Sequence, residues 1–206
     1  NSIKKIFIFP ISSSPIRTMP IDLLNYIILK FVQKIDIEII LDNRSEISNY
    51  IEKKLYLDKA QITHPKNLNQ LLKIIENINF GIFMDSGPLH VAKILNKKGI
   101  LISSSVGKHT LLSDLKNIQS IDNDYKSIYC SAPCGLVNIF NYDNKIGCYD
   151  SLAISKNKIL KHNNLKGLQR GNLKNNYINL ISNPVNCLKK INKKKIIETI
   201  RDNIIY

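Results

Sequence analysis

The chain has 206 residues, 44% of them hydrophobic, and its 30 Lys and Arg against 16 Asp and Glu give a formal net charge of +14. This length suits one large domain or a domain with an appendage, and no apolar run reaches the length of a membrane span. The charge favours acidic partners, but Lys, Asn and Ile dominate throughout, as an AT-rich genome would produce. The basic residues do not alternate with aromatics on one element, so we expect no nucleic-acid partner.

Strand and helix signals alternate along the first half of the chain. The predicted strands are Lys5–Phe9, Ile37–Leu41, a weak Gln61–Thr63, Phe80–Met84 and Gly99–Ser103. The predicted helices run from Pro20 to Ile35, from Ser45 to Leu55, from Asn67 to Ile78 and from Val91 to Leu95. This alternation predicts an α/β fold, a doubly wound parallel sheet of Rossmann-like type, with ligands bound beyond the carboxyl ends of the strands.

The regular pattern weakens from about Ser120. We therefore divide the chain into a Rossmann-like domain, residues 1–120, and a Cys-containing extension, residues 121–206. Within the extension, Cys130–Cys148 is predicted to be irregular and Lys156–Asn176 to be a loop. Ile191–Tyr206 is predicted to be a basic amphipathic helix that packs back on the sheet, with contact to a membrane as the alternative.

One turn carries most of the chemical information. The residues from Asp85 to His90 lie between a buried strand and a helix, and the helix N-terminus there offers free backbone N–H groups to an anion. Gly87 permits close approach of a ligand, Pro88 suits the first helical position, and Ser86 and His90 add donors. The turn therefore predicts a phosphate or diphosphate site, although Gly and Pro also occur at such junctions for geometry alone.

A second polar loop follows the first strand. Residues 11–19 contain three consecutive hydroxyls, Ser13 among them, and Arg17, whose guanidinium is suited to hold a phosphate through two parallel hydrogen bonds. The alternative is that Arg17 is a solvated loop cation.

These two loops together resemble the donor loops of glycosyltransferase family 9, the heptosyltransferase-like enzymes. The string from Asp85 through His90 to Ala92 is similar to that family's Asp-Ser/Thr-Gly-x-x-His pattern, and the first loop is similar to its Pro-Gly-Ser-Ser, Lys and Trp-Pro pattern. Ile11 stands here for the expected Gly, Arg17 for the Lys and Met19 for the Trp. The resemblance covers residues 5–107 well and residues 130–205 loosely.

The resemblance implies the C-terminal, donor-binding half of a two-domain glycosyltransferase of GT-B type. The donor would be an ADP-heptose-like nucleotide sugar, and the acceptor a lipopolysaccharide-type anionic glycan or glycolipid, or a protein. Glu46 is the acidic residue that the resemblance assigns to the ribose; its alternative role is to stabilise the helix N-terminus. The resemblance implies no metal for transfer and places the acceptor site and the catalytic base in an N-terminal half, so this chain offers no residue as the base. Because the chain begins with Asn1, we expect it to be part of a longer protein. We expect that protein to be cytoplasmic or peripheral to the inner membrane.

Four cysteines lie in the extension, and their thiols are suited to hold zinc or iron as a structural metal. Some related protein-directed heptosyltransferases hold iron with similarly placed cysteines. Reduced structural thiols are the alternative, and a disulfide is less expected because nothing in the chain indicates export. The four residues are Cys130, Cys134, Cys148 and Cys187.

Two other functions stay open at this point. One is a nucleotide-binding module without transferase activity, favoured by Ile11, which narrows the space for a diphosphate. The other is a basic nucleic-acid-associated protein, supported only by the net charge of +14.

Overall fold

A computed structural model describes residues 3–43, 45–56, 60–160 and 174–204 of the chain. The strands are β1 (Lys5–Phe9), β2 (Asp36–Ile40), β3 (Ala60–Thr63), β4 (Gly81–Phe83), β5 (Gly99–Ile102), β6 (Ile118–Ile121), β7 (Phe140–Tyr142) and β8 (Lys145–Gly147). The helices are α1 (Ile21–Phe31), α2 (Glu46–Lys54), α3 (Leu68–Asn77), α4 (Gly87–Ile94), α5 (Lys108–Leu111), α6 (Lys156–Leu160), α7 (Lys174–Ser182), α8 (Asn186–Lys189) and α9 (Lys193–Ile204).

In the described part of the chain, β1 to β6 form one sheet in the order β3-β2-β1-β4-β5-β6, and every neighbouring pair is parallel. The central strand β1 pairs with β2 on one side and with β4 on the other, so the direction of winding reverses between β1 and β4. A crevice opens at such a reversal beyond the carboxyl ends of the strands, where doubly wound sheets bind their ligands. The predicted Rossmann-like fold is confirmed.

Apolar layers cover both faces of the sheet. One core joins α1 and α2 with side chains of α7, α8 and α9, and the other joins α3, α4 and α5 with the opposite face of the strands. Ile196 and Ile200 of α9 are completely buried in the first core, so α9 packs on the same face of the sheet as α1 and α2. The division at residue 120 stays a prediction. None of the described helices is both long and apolar enough to cross a membrane.

The structure corrects several element predictions. Helix α1 ends at Phe31 rather than at Ile35, although Ile35 remains buried in the core. Strand β6 was missed because it lies at the edge of the sheet and only its terminal residues, Ile118 and Ile121, are buried. Such a strand shows neither the alternating pattern nor the continuous apolar run by which strands are recognised.

The extension is more regular than predicted. The supposedly irregular stretch Cys130–Cys148 contains the antiparallel hairpin of β7 and β8, which turns at Asp143 and Asn144, both with positive φ. Asn and Asp tolerate that conformation better than other residues with side chains, so the turn has a recognisable signal. The predicted loop Lys156–Asn176 begins with α6 and ends within α7, and residues 161–173 lie outside the described part.

Candidate functional site

A cleft of about 340 Å³ opens at the carboxyl ends of β1, β2 and β4, beside the point where the winding of the sheet reverses. Its volume falls within the range of small-molecule sites. The walls combine apolar side chains with hydroxyls, a carboxylate and a cation. The lining residues are Phe9, Ile11, Ser12, Ser13, Arg17, Ile40, Leu41, Asp42, Pro65, Leu71, Asp85, Ser86, Gly87, Pro88 and His90.

Two of the predicted site residues form a buried ion pair in this cleft. Arg17 lies in a short 3-10 helix, Pro15–Arg17, and its Nη1 is 2.9 Å from Asp85 Oδ2. Arg17 is 9% exposed and Asp85 5% exposed, so the alternative that Arg17 is a solvated loop cation is wrong. The pair joins the loop after β1 to the turn after β4.

The other hydrogen bonds of Arg17 limit how it meets a ligand. Its Nε donates to the carbonyl oxygen of Val137 at 2.7 Å, Nη2 donates to Ser13 Oγ at 2.8 Å, and Nη1 also lies 3.3 Å from the carbonyl oxygen of Asp85. Together with the bond to the Asp85 carboxylate, these contacts use four of the five N–H groups that an Arg carries. A two-bond grip on a phosphate therefore requires Arg17 to exchange a partner, and its phosphate role stays a prediction.

The turn after β4 forms the N-terminus of α4. Gly87 and Pro88 are the first two residues of the helix, so α4 begins four residues before the predicted Val91 and Pro88 occupies the second position. Ser86 precedes the helix, and its hydroxyl donates to the carbonyl oxygen of Met84 at 3.2 Å rather than capping the helix. A Cβ added to Gly87 would meet no atom within 4 Å, so the surface at this residue is open to a ligand.

An acidic residue follows β2 as the resemblance implies, but it is Asp42 that lines the cleft. Its Oδ1 accepts hydrogen bonds from the hydroxyls of Ser45, at 2.6 Å, and Ser48. Glu46 is exposed in the first turn of α2 and is not among the residues that line the cleft. The ribose role of Glu46 stays a prediction, and Asp42 was missed although it lies only two residues after the end of β2.

The part of the cleft near β2 and β3 is mainly apolar. Ile40, Leu41, Pro65 and Leu71 line it beside the Asp42 carboxylate, whereas Arg17, Asp85 and the lining hydroxyls lie near β1 and β4. A ligand with one apolar, planar end and one anionic end matches this division. The polar loop after β5 does not line the cleft: Ser103, Ser104 and Ser105 are buried, and Lys108 Nζ lies 3.8 Å from Asp122 Oδ2.

Residues of the extension hold the first loop in place. The Asn138 side chain accepts a hydrogen bond from Ser14 Oγ at 2.8 Å, next to the bond between Arg17 and Val137. Tyr177 of α7 lies completely buried against the same loop. These contacts span more than a hundred residues of sequence, and no local pattern predicts them.

The four cysteines converge on a second, much smaller cavity. Cys130, Cys134, Cys148 and Cys187 line a space of about 10 Å³, roughly the room that one water-sized atom needs. Burial, followed by the proximity of Cys134, raises the pKa of Cys130 to about 12, and burial with the proximity of Cys148 raises that of Cys187 to about 12. Among the described residues, no group of three or more His, Cys, Asp or Glu has the arrangement of a metal site. The four cysteines therefore line one cavity without forming a preformed metal site among the described residues.

Other polar groups also line this cavity. Ser105 Oγ is buried and has no hydrogen-bond partner among the described residues. Burial raises the pKa of Asp150, but hydrogen bonds from Ser127, Asn186 and Tyr125 outweigh that effect and lower the pKa below its ordinary value. The residues that line the cavity thus include four cysteines, the unpartnered hydroxyl of Ser105 and Asp150, whose ionised form is favoured.

No family model matches the chain, and no curated protein matches its sequence. Solved structures share its fold. An ADP-heptose lps heptosyltransferase II from E. coli aligns at 15% identity and a TM-score of 0.50 over 59% of this chain and 39% of that one. E. coli heptosyltransferase WaaC, in a structure with ADP, aligns at 13% identity and a TM-score of 0.50 over 58% of this chain and 38% of that one.

A glycosyltransferase of family 9 from Veillonella parvula aligns over 87% of this chain and 46% of that one, at 15% identity and a TM-score of 0.48. The chain therefore spans less than half the length of each of these proteins. At such identities the likeness concerns the fold, and the chain has the Rossmann-like fold found in part of heptosyltransferase II and WaaC.

Proposed function

We propose that this chain is the donor-binding part of a glycosyltransferase and that its cleft binds a nucleoside diphosphate sugar. The observation that carries the proposal is the meeting of the α4 N-terminus with the Arg17–Asp85 pair where the winding of the sheet reverses. An anion placed there faces backbone N–H groups and the positive end of the helix dipole. The shared fold with two heptosyltransferases supports the same reading.

The chemistry of transfer explains why such a site is useful. The bond between the anomeric carbon and the diphosphate oxygen breaks, and its electron pair leaves on the diphosphate. An acceptor hydroxyl attacks the carbon and gives its proton to a base, which the family resemblance places in the other half of the enzyme. Groups that interact with the diphosphate more strongly in the transition state, where its negative charge has grown, than in the ground state lower the barrier. In this chain the first turn of α4 and Arg17 would stabilise that charge. Asp85 would hold Arg17 in place or accept a hydrogen bond from a sugar hydroxyl.

We infer an ADP-heptose-like donor from the resemblance of the loops, and WaaC, which shares the fold, is described with ADP. The apolar wall formed by Ile40, Leu41, Pro65 and Leu71 would cover the base, and Asp42, which also lines the cleft, would hold the ribose hydroxyls. The net charge of +14 suits an anionic glycan, glycolipid or protein acceptor and peripheral attachment to an anionic membrane surface.

Calorimetric titration with ADP, UDP, GDP and ADP-heptose tests this proposal. We expect ADP to bind more tightly than UDP or GDP and ADP-heptose more tightly than ADP, because the sugar adds contacts. Asp42→Asn should weaken ADP binding, and Glu46→Gln is the matched variant on the same stretch of chain; the reverse result would assign the ribose to Glu46. If a folded sample binds none of these compounds, the donor-site proposal fails.

The same experiment separates the two other functions. A nucleotide-binding module that makes no contact with the sugar would bind ADP and ADP-heptose equally. A nucleic-acid-associated protein would bind no nucleotide sugar and would be retained on heparin in a manner that collapses at modest salt.

We also propose that the four cysteines hold one structural zinc or iron ion. Sulfur ligands suit both metals, and the thiols already line a cavity of about one atom's volume, which supports the fit. The cysteine side chains would have to move to bring the sulfur atoms into a tetrahedron around the ion, because the described residues form no such group beforehand. The ion would tie the hairpin of β7 and β8 to α8, which carries Cys187, and would supply folding free energy to the extension.

A further inference from the structure

We propose that Tyr177 is a positioning residue for the diphosphate end of the cleft. It acts through the loop that carries Ser13 and Arg17 and does not itself line the cleft. The inference rests on the proposed nucleotide-binding function and deepens it.

Tyr177 projects from α7 into the loop after β1 and is completely buried there. Its hydroxyl donates to the carbonyl oxygen of Ser12 at 2.6 Å and lies 2.5 Å from Thr18 Oγ1. The Ser12 N–H in turn donates to Thr18 Oγ1 at 3.0 Å. With the Thr18 hydroxyl donating to Tyr177, the three groups close a ring of hydrogen bonds; the Ser14 carbonyl oxygen, 3.0 Å away, is the other acceptor within reach of Thr18.

This ring joins the two ends of the segment that contacts the ligand. Ser12 and Thr18 flank the residues that include Ser13 and Arg17, so the Tyr177 hydroxyl contacts both ends of the segment and supports the direct bond between them. The Ser12 side chain then passes the constraint across the cleft, because its hydroxyl donates to the Asp85 carbonyl oxygen at 2.6 Å. Within this low-dielectric setting, hydrogen bonds that form a closed chain strengthen one another.

The local sequence by itself does not fix the conformation of the loop. The segment has one Pro and several hydroxyls, and a free loop of this composition would sample many conformations. Binding a diphosphate to it would then have to supply the free energy of ordering. A loop already held by Tyr177 avoids that cost, and this is the general advantage of a preorganised site.

The test compares Tyr177→Phe with Tyr50→Phe. The first variant keeps the aromatic ring of Tyr177 and removes only its hydroxyl. The second removes the hydroxyl of Tyr50 on α2, which lies 2.9 Å from Ser182 Oγ. Ser182 belongs to α7, as Tyr177 does, but neither Tyr50 nor Ser182 lines the cleft. Adenosine, AMP and ADP are titrated into each variant and into the unchanged protein.

For Tyr177→Phe we expect the affinity for ADP to fall about tenfold and that for adenosine to change less than about twofold, because only the phosphates contact the loop. Tyr50→Phe should bind all three compounds as the unchanged protein does. Hydrogen exchange of the peptide that covers residues 11–19, measured without nucleotide, should be faster in Tyr177→Phe and unchanged in Tyr50→Phe.

Unchanged ADP affinity in Tyr177→Phe, or an equal loss for adenosine and ADP, would overturn the positioning role. Unaltered exchange of residues 11–19 would overturn it as well, whatever the nucleotide data. If the unchanged protein binds no ADP, the proposed function fails with it, and that result is visible before any variant is compared.

Discussion

Arg17 and Asp85 form an ion pair of 2.9 Å in which both side chains are almost completely buried. Removing one partner of such a pair leaves an uncompensated charge in a site shielded from water, and this typically costs about 3–5 kcal/mol. We therefore expect Arg17→Ala to destabilise the fold strongly, in contrast to what a solvated loop cation would do. Urea unfolding measures the loss.

The matched variant is the double change Arg17→Met with Asp85→Leu, which removes both charges. It should be more stable than Arg17→Ala because no buried charge remains, although the hydrogen bond to Val137 is lost in both. A single Arg17→Ala variant as stable as the unchanged protein would contradict the buried pair.

Substitutions of Gly87 should affect nucleotide binding much more than the stability of the fold. A β-carbon at this position meets no protein atom, so Gly87→Val should change the free energy of unfolding by less than about 1 kcal/mol. In the cleft, however, the added side chain would obstruct a phosphate that approaches the helix N-terminus. We expect ADP affinity to fall by at least about tenfold, a loss of about 1.4 kcal/mol, with Gly87→Ala intermediate. Calorimetric titration checks the order of the three proteins, and equal affinities would remove the α4 N-terminus from the site.

The metal proposal predicts near-stoichiometric zinc or iron in protein purified without chelator. Cys148→Ser should lower the metal content, whereas Ser155→Ala, an exposed change in the same segment, should not. Chelation should speed hydrogen exchange in residues 130–160 and leave β1 to β5 protected. Elemental analysis that finds no metal, together with four titratable thiols, would return the cysteines to the class of structural thiols.

The raised thiol pKa values predict how the metal-free, reduced protein responds to pH. The pKa values of Cys130 and Cys187 rise from 9.0 to about 12 on folding, so the unfolded chain loses these protons first as pH increases. The stabilisation is complete below pH 9 and is lost as pH rises towards 12. Unfolding measured from pH 8 to pH 10 should show stability falling, with a shallower slope in Cys187→Ala. An identical slope in both proteins would mean that this thiol does not contribute.

Helix α9 supplies a test of the core. Ile200 is completely buried against the sheet, so Ile200→Ala should cost about 2–5 kcal/mol. Ile94 is 83% exposed at the end of α4, and Ile94→Ala should stay within about 0.5 kcal/mol of the unchanged protein. Thermal unfolding distinguishes the two, and similar losses would contradict the packing of α9.

The sequence by itself determined the alternation of β1, β2, β4 and β5 with their helices, because each of these strands is mainly apolar and is followed by a polar loop, whereas β3 gave only a weak signal. It also determined that the loops containing Arg17 and Asp85 share one edge of the sheet, since parallel strands place their carboxyl ends together. Only the tertiary structure decided how these residues are used. The pairing of Arg17 with Asp85, the presence of Asp42 rather than Glu46 in the cleft and the bonds from Tyr177 join positions far apart in the chain, and spacing and propensity carry no information about such contacts.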